Sequence, residues 1–151
     1  MRTSRAGAGP LPAPLLDRGQ LPPRATRAPR WVTLMERLLV VEHNRLFGEG
    51  LALLLEWRTG LSSVHAGSLA EAKSVLEGAN QMPVCVIVDL DLPDGDGAKL
   101  LKLLNGLPAL ALIKGGSLER QAEALDSGAD EVVNTKGAVE EIVAAVERLI
   151  G

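Results

Sequence analysis

The 151-residue chain has one cysteine, Cys85, no tyrosine, and three aromatic side chains in all, Trp31, Phe47 and Trp57. A single thiol excludes a disulfide framework and a cysteine-based zinc site. Two histidines, His43 and His65, are too few for a histidine metal cluster. So few rings leave the base-stacking modes of RNA and single-strand binding undersupplied. Long apolar runs are missing too: the strongest, Val84 to Val88, falls far short of the ~20 residues of a membrane helix. What remains is 46% hydrophobic and 23% charged. That composition builds a core, excludes wholesale disorder and, at this length, fits one domain.

The charge is unevenly spread. Residues 1–34 hold six arginines (Arg2, Arg5, Arg18, Arg24, Arg27, Arg30) against one acid, Asp17, and six of the nine prolines. The segment is therefore +5, and the net charge of −3 leaves −8 on the rest. Proline fixes φ and removes backbone donors, and no helical or strand period runs through the segment. Residues 1–34 thus read as a disordered basic tail and 35–151 as the folded domain. A secretory signal is excluded, because no stretch of 7–15 apolar residues follows the positive ones. The arginine-rich, acid-poor composition has some transit-peptide character. Met35, two residues before the first strand, favours an over-extended start or a dispensable extension instead. The expected location is the cytoplasm, without membrane contact.

From Arg37 onward strands alternate with helices. Leu38 to Val41 is a short apolar strand ending at Glu42 and His43. Asn44 caps a helix with an apolar stripe of Leu46, Phe47, Leu51, Leu54 and Leu55, stopped by Gly60. Leu61 to Ala66 is a weak strand, and Ser68-Leu69-Ala70-Glu71 is a capping box opening a helix that reaches Gly78. Val84 to Val88 is apolar without alternation, the signature of a strand covered on both faces, and it ends at Asp89. An acidic loop, Asp89 to Gly97, leads to a helix over Ala98 to Asn105. A strand over Ala109 to Ile113, a helix from Ser117 to Gly128, a strand over Glu131 to Asn134 and a helix over Ala138 to Ile150 complete the chain. The pattern predicts an α/β fold: a doubly wound, five-stranded parallel sheet in the order 2-1-3-4-5.

In that order strands 1 and 3 are neighbours, and chemistry gathers at their C-terminal ends. The residues there are Glu42, His43 and Asp89. A charge just past a strand end is usually a solvated loop residue, and Asp91, Asp94 and Asp96 are expected to be solvated turn formers. Two carboxylates arriving together on adjacent strands are different, because they repel unless a cation or a proton lies between them. Such oxygen ligands suit Mg²⁺, and a carboxylate can also serve as the nucleophile that carries an acyl phosphate.

Three stretches carry a family resemblance: Arg37-Leu-Leu-Val-Val-Glu-His-Asn-Arg-Leu-Phe-Gly-Glu-Gly-Leu, Val84-Cys-Val-Ile-Val-Asp-Leu-Asp-Leu-Pro-Asp-Gly-Asp-Gly and Ser127-Gly-Ala-Asp-Glu-Val-Val. Together they resemble the response-regulator receiver domain over residues 37–150, with its flavodoxin-like receiver fold. The resemblance implies that Asp89 is the phospho-acceptor of a two-component phosphorelay, fed by a histidine kinase or phosphotransfer protein. It implies Mg²⁺ held by Glu42, Asp89 and the backbone carbonyl of Asp91, and a signalling protein rather than an enzyme.

Several family positions are changed. His43 replaces the second acid after strand 1, and is a poorer Mg²⁺ ligand than an oxygen; its alternative role is a neutral imidazole capping a loop amide. The hydroxyl expected at the end of strand 4 falls on Ile113, the lysine after strand 5 on Thr135, and the aromatic switch on Val132. Two lysines stand beside vacated positions, Lys114 and Lys136. Either could return a cation to Asp89, and Lys114 is expected to approach it within about 4 Å, the usual ion-pair limit. Cys85 reads as a small core residue, and His65 has no evident partner.

Two readings follow. One is a stand-alone receiver that accepts a phosphoryl group on Asp89 and signals through a protein surface in trans, since no output segment follows Ile150. The other is a degenerate pseudo-receiver acting as a phosphorylation-independent binding module. The output face expected from the resemblance includes Arg120, Glu123, Glu131, Glu141 and Arg148, and its acidic excess disfavours direct nucleic-acid binding by the folded domain. A flavin carrier or dinucleotide enzyme is disfavoured, because Glu42-His43-Asn44-Arg45 offers no glycine-rich phosphate loop.

Overall fold

The computed structural model describes residues 36–151. The basic tail expected over 1–34 lies outside the described residues. The chain alternates β1 (Arg37–Val41), α1 (Arg45–Thr59), β2 (Ser62–Ala66), α2 (Leu69–Glu77), β3 (Cys85–Asp89), α3 (Ala98–Leu103), β4 (Ala109–Ile113), α4 (Leu118–Ser127), β5 (Glu131–Asn134) and α5 (Val139–Ile150). The five strands form one parallel sheet in the order 2-1-3-4-5, as the sequence predicts. Between β3 and α3 the expected acidic loop forms a small antiparallel hairpin, Asp91–Leu92 against Gly95–Asp96.

Strand alternation sorts the core into two layers. Leu39, Val41, Val86, Val88, Ala109, Ala111 and Ile113 face Leu69, Ala72, Leu100, Leu101 and Ala124 of α2, α3 and α4. Leu38, Val40, Cys85, Ile87, Leu110, Leu112 and Val133 face Leu51, Leu55, Ile142, Val143 and Val146 of α1 and α5. Cys85 is wholly buried among them, and burial pushes its thiol up to about 12, so it is a core residue. The helices start where the sequence places their caps. Asn44 accepts from the Phe47 N–H at 3.0 Å, Ser68 from Glu71 at 3.1 Å and Ser117 from Arg120 at 3.2 Å. Among the described residues no helix is long and apolar enough to cross a membrane.

Two local expectations change. Leu46 is not part of the buried stripe of α1 but 86% exposed, on a solvent-facing line with Leu53 (67%) and Trp57 (80%). The helical period explains this: the buried face runs through Gly48, Leu51, Ala52, Leu55 and Thr59, and Leu46 lies opposite it. Helix α3 stops at Leu103 rather than Asn105, because Asn105 turns left-handed at φ 51°.

Two glycines of α1 differ in a testable way. A Cβ at Gly50 meets nothing within 4 Å, whereas one at Gly48 runs into the His65 ring, 2.6 Å from Cδ2. Gly50→Ala should therefore raise stability by up to about 1 kcal/mol. Gly48→Ala should lower it by roughly 1–2 kcal/mol through overpacking. Urea denaturation of the two variants checks the pair, and equal gains would show that His65 yields its place freely.

Candidate functional site

The β1–β3 register pairs Leu38 with Cys85 through Val41 with Val88. One step further puts Glu42 beside Asp89 at the C-terminal edge of the sheet. Both are buried, at 3% and 1% exposure. The Asn44 N–H donates to Glu42 Oε2 at 2.8 Å, and the Asp91 N–H to Asp89 Oδ1 at 3.0 Å. Asp89 Oδ2 is buried without a hydrogen-bond partner. Burial is the main reason that the Glu42 carboxyl rises to about 7. The Asn44 N–H opposes the rise, the Asp89 charge and a hydrogen bond that a protonated Glu42 can give Asp89 add to it, and the Lys114 charge opposes it.

The acidic loop departs from expectation. Asp94, expected as a solvated turn former, reaches across to cap α2, accepting from the Leu69 N–H at 2.8 Å and the Ala70 N–H at 3.0 Å. Those two bonds hold its carboxyl below the usual range. Asp96 accepts from the Ala98 N–H at 2.9 Å at the start of α3. It also takes both arms of Arg120, at 3.0 and 3.2 Å. Burial alone would raise Asp96; Arg120 and the Ala98 N–H outweigh it and leave the carboxyl lowered. The same guanidinium donates to the Leu90 carbonyl at 3.2 Å and to Asp91 Oδ1 at 3.4 Å. Gly97 closes the loop, and a side chain there would strike the Asp89 carbonyl and sit 2.9 Å from Leu90 Cα. Turn residues expected to face water thus tie the loop to α2 on one side and α4 on the other. The physical reason is that a half-buried cation and two helix N-termini offer these carboxylates better partners than solvent does.

The changed positions lie around the same edge. Ile113 is buried in the α2–α3–α4 layer, and its carbonyl accepts from both the N–H (2.8 Å) and the hydroxyl (3.2 Å) of Thr135. Val132 is half-buried and, with Ile113, Gln121, Asn134, Glu141 and Arg148, lines an open groove of about 450 Å³. Lys114 and Lys136 are exposed. Among the described residues neither forms an ion pair with Asp89, so the close Lys114–Asp89 contact is not made. Lys114 leaves the end of β4 into solvent and acts on Glu42 only through its field. Asn134 fixes the course of that loop, accepting from the Gly115 N–H at 3.1 Å and the Lys136 N–H at 2.9 Å. His43 is exposed. His65 gains a partner: its Nε2 donates to the Glu42 carbonyl at 2.9 Å. Sequence reasoning placed Arg120 on an outward, mixed-charge face and passed over Asn134. The available signal for Arg120 was a run of four acids in nine residues, which needs a cation nearby.

The chain matches the response regulator receiver domain over residues 38–147. It belongs to that family. It is 36% identical over 118 residues to the transcriptional regulatory protein PmrA of Pectobacterium parmentieri, covering 76% of this chain and 52% of that one. It is 34% identical over 120 residues to the virulence transcriptional regulatory protein PhoP of Salmonella typhimurium, covering 77% and 52%. The chain therefore spans about half the length of the curated relatives it matches. Its fold is that of the CheY-like receiver domain protein from Methanospirillum hungatei (TM-score 0.66, 24% identity, 76% of this chain and 93% of that one). It is also that of the Francisella response regulator 1452 receiver domain (TM-score 0.68, 23% identity, 76% and 96%). The chain is thus a receiver domain of two-component signalling.

Receivers work with Mg²⁺, and the donors here fit it. Glu42 and Asp89 offer oxygens only, and one of them is buried without a partner. Among the described residues no three His, Cys, Asp or Glu side chains converge on one point. Two carboxylates plus main-chain oxygen are what such an ion takes from a protein when water and phosphate complete its shell.

The raised Glu42 carboxyl has a pH consequence. A carboxyl raised from 4.5 to about 7 by folding favours the folded state while protonated. Its contribution is complete below pH 4.5 and is lost as pH climbs through 7, a span of about 3 kcal/mol at most. With divalent ions chelated, Glu42→Gln should match the unsubstituted protein at pH 4.5 and exceed it by roughly 2–3 kcal/mol at pH 8. Denaturant midpoints at the two pH values test this, and equal stability at pH 8 would contradict it.

Proposed function

We propose that this receiver accepts a phosphoryl group on Asp89 from a phosphohistidine of a kinase or phosphotransfer protein, in the cytoplasm, and passes its state to a protein partner in trans. The observation that carries the reading is the buried, unpartnered Oδ2 of Asp89 beside Glu42. The Asp91 N–H occupies Oδ1 and orients the carboxylate, which leaves Oδ2 as the nucleophile. In the transfer an Asp89 oxygen forms the new O–P bond while the P–N bond to the donor imidazole breaks, and the imidazole leaves neutral after taking up a proton. Glu42, Asp89 and the Asp91 carbonyl would hold Mg²⁺, which when bound neutralises charge on the transferring group. Glu42 ionises as the cation arrives, because a positive neighbour favours the charged carboxylate.

One observation favours the second reading, a binding module independent of phosphorylation. The Thr135 hydroxyl is spent on the Ile113 carbonyl, and Ile113 has no hydroxyl to turn toward a phosphoryl group. Incubation with a small phosphodonor and Mg²⁺ separates the two. Intact mass should rise by one phosphoryl group, and Asp89→Ala should abolish the gain. No gain in the unsubstituted protein would leave the binding module. A related titration probes the altered acid position: His43→Asp should tighten Mg²⁺ severalfold by adding an oxygen ligand, and unchanged affinity would acquit His43.

A further inference from the structure

The link between Arg120 and the acceptor is a single peptide plane. The carbonyl oxygen of Leu90 and the N–H of Asp91 belong to one trans peptide unit, rigid and with its dipole ends opposed. Arg120 Nη2 donates to the carbonyl end at 3.2 Å, and Asp89 Oδ1 accepts from the N–H end at 3.0 Å. A cation on the oxygen polarises the plane and strengthens the N–H as a donor. It also fixes the plane's orientation, as does the Gly97 N–H, which reaches the same carbonyl at 2.9 Å. Arg120 is itself held by Asp96 at 3.0 and 3.2 Å and by Glu123 at 2.6 Å. Among the described residues it is the cation paired with Asp91 and Asp96.

Arg120 lies in the first turn of α4, and Gln121 beside it lines the groove with Val132, Glu141 and Arg148. Leu118 and Leu125 of the same helix are exposed. A displacement of α4 therefore pulls on the peptide that orients Asp89.

We propose that Arg120 is a positioning residue for Asp89: through the Leu90–Asp91 peptide it sets the acceptor's reactivity and ties that reactivity to the placement of helix α4. The proposal rests on the acceptor reading above. It gives this chain a charged route between acceptor and α4 that uses neither a hydroxyl at 113, a lysine at 135 nor an aromatic at 132.

The test uses the full chain with acetyl phosphate and Mg²⁺, comparing Arg120→Gln, Arg120→Lys and a control, Arg58→Gln. Arg58 pairs with Glu140 and Glu147 of α5 and with no carboxylate of the Asp89–Gly97 loop, so its loss removes a comparable surface ion pair. Two quantities are read: the rate of phosphoryl gain, and amide hydrogen exchange at Asp91 against Val86 in the core. Arg120→Gln should slow phosphorylation about tenfold and speed Asp91 exchange about tenfold, the scale of one charge-assisted hydrogen bond. Val86 should keep its exchange rate. Arg120→Lys should recover part of both losses, and Arg58→Gln should change neither. A slowed reaction with unchanged Asp91 exchange, faster exchange with an unchanged rate, or equal losses in Arg58→Gln would each overturn the positioning role. An unsubstituted chain that takes up no phosphoryl group would instead overturn the acceptor reading, and this proposal with it.

Discussion

Two carboxylates are buried side by side where β1 and β3 end, and much of the surrounding structure answers to that fact. Like charges about 4 Å apart repel by about 4 kcal/mol at an effective dielectric near 20. Parallel pairing in register leaves no choice about their proximity, since Val41 opposite Val88 brings Glu42 opposite Asp89. The fold manages the pair with backbone rather than with an adjacent ammonium. The Asn44 N–H serves Glu42, the Asp91 N–H serves Asp89, and Glu42 itself is pushed toward the neutral form. A cation between them would relieve both at once, which is why the pair suits a hard divalent ion.

The loop that follows Asp89 is held with unusual completeness for nine residues. Asp94 is bound to the N-terminus of α2, Asp96 to that of α3, and Arg120 reaches in from α4. Three helices therefore converge on the segment that orients Asp89. The ordering of the loop thus accompanies folding and does not wait for a ligand. It also means that Asp89 stays tied to the α4 side of the domain despite the changes at Ile113, Thr135 and Val132. Thr135 joins β5 to the end of β4 through the Ile113 carbonyl, and Asn134 pins the β4–α4 loop.

The sheet order, the caps and both acidic strand ends were legible because each rests on a local pattern: apolar runs, Ser or Asn before a helix, a charge closing a strand. Leu46 shows the limit of pattern at close range, since eight apolar positions on α1 are compatible with more than one buried face until the sheet selects it. The contacts that complete the site were not legible. Arg120 meets Leu90, Asp91 and Asp96 across 30, 29 and 24 residues, and Asp94 meets Leu69 across 25. Such pairings depend on where packed helices finally stand. The lysine beside the vacated position drew the expectation to Lys114, but a residue just past a strand end has open solvent within reach and no buried stem to direct it. His65 was opaque for the same reason: its partner is a backbone carbonyl on the neighbouring strand, and the space for its ring is the missing side chain of Gly48.

The central claim is that Glu42 and Asp89 form one buried, cation-seeking pair. Carbon-detected NMR titration of the Glu42 and Asp89 carboxyls, with and without Mg²⁺, tests it most directly. Without the ion Glu42 should titrate near 7, and saturating Mg²⁺ should carry its midpoint down below the ordinary carboxylate value while shifting the Asp89 resonance in the same titration. A Glu42 that titrates at the ordinary carboxylate value in the absence of Mg²⁺, with neither resonance responding to the ion, would contradict the account.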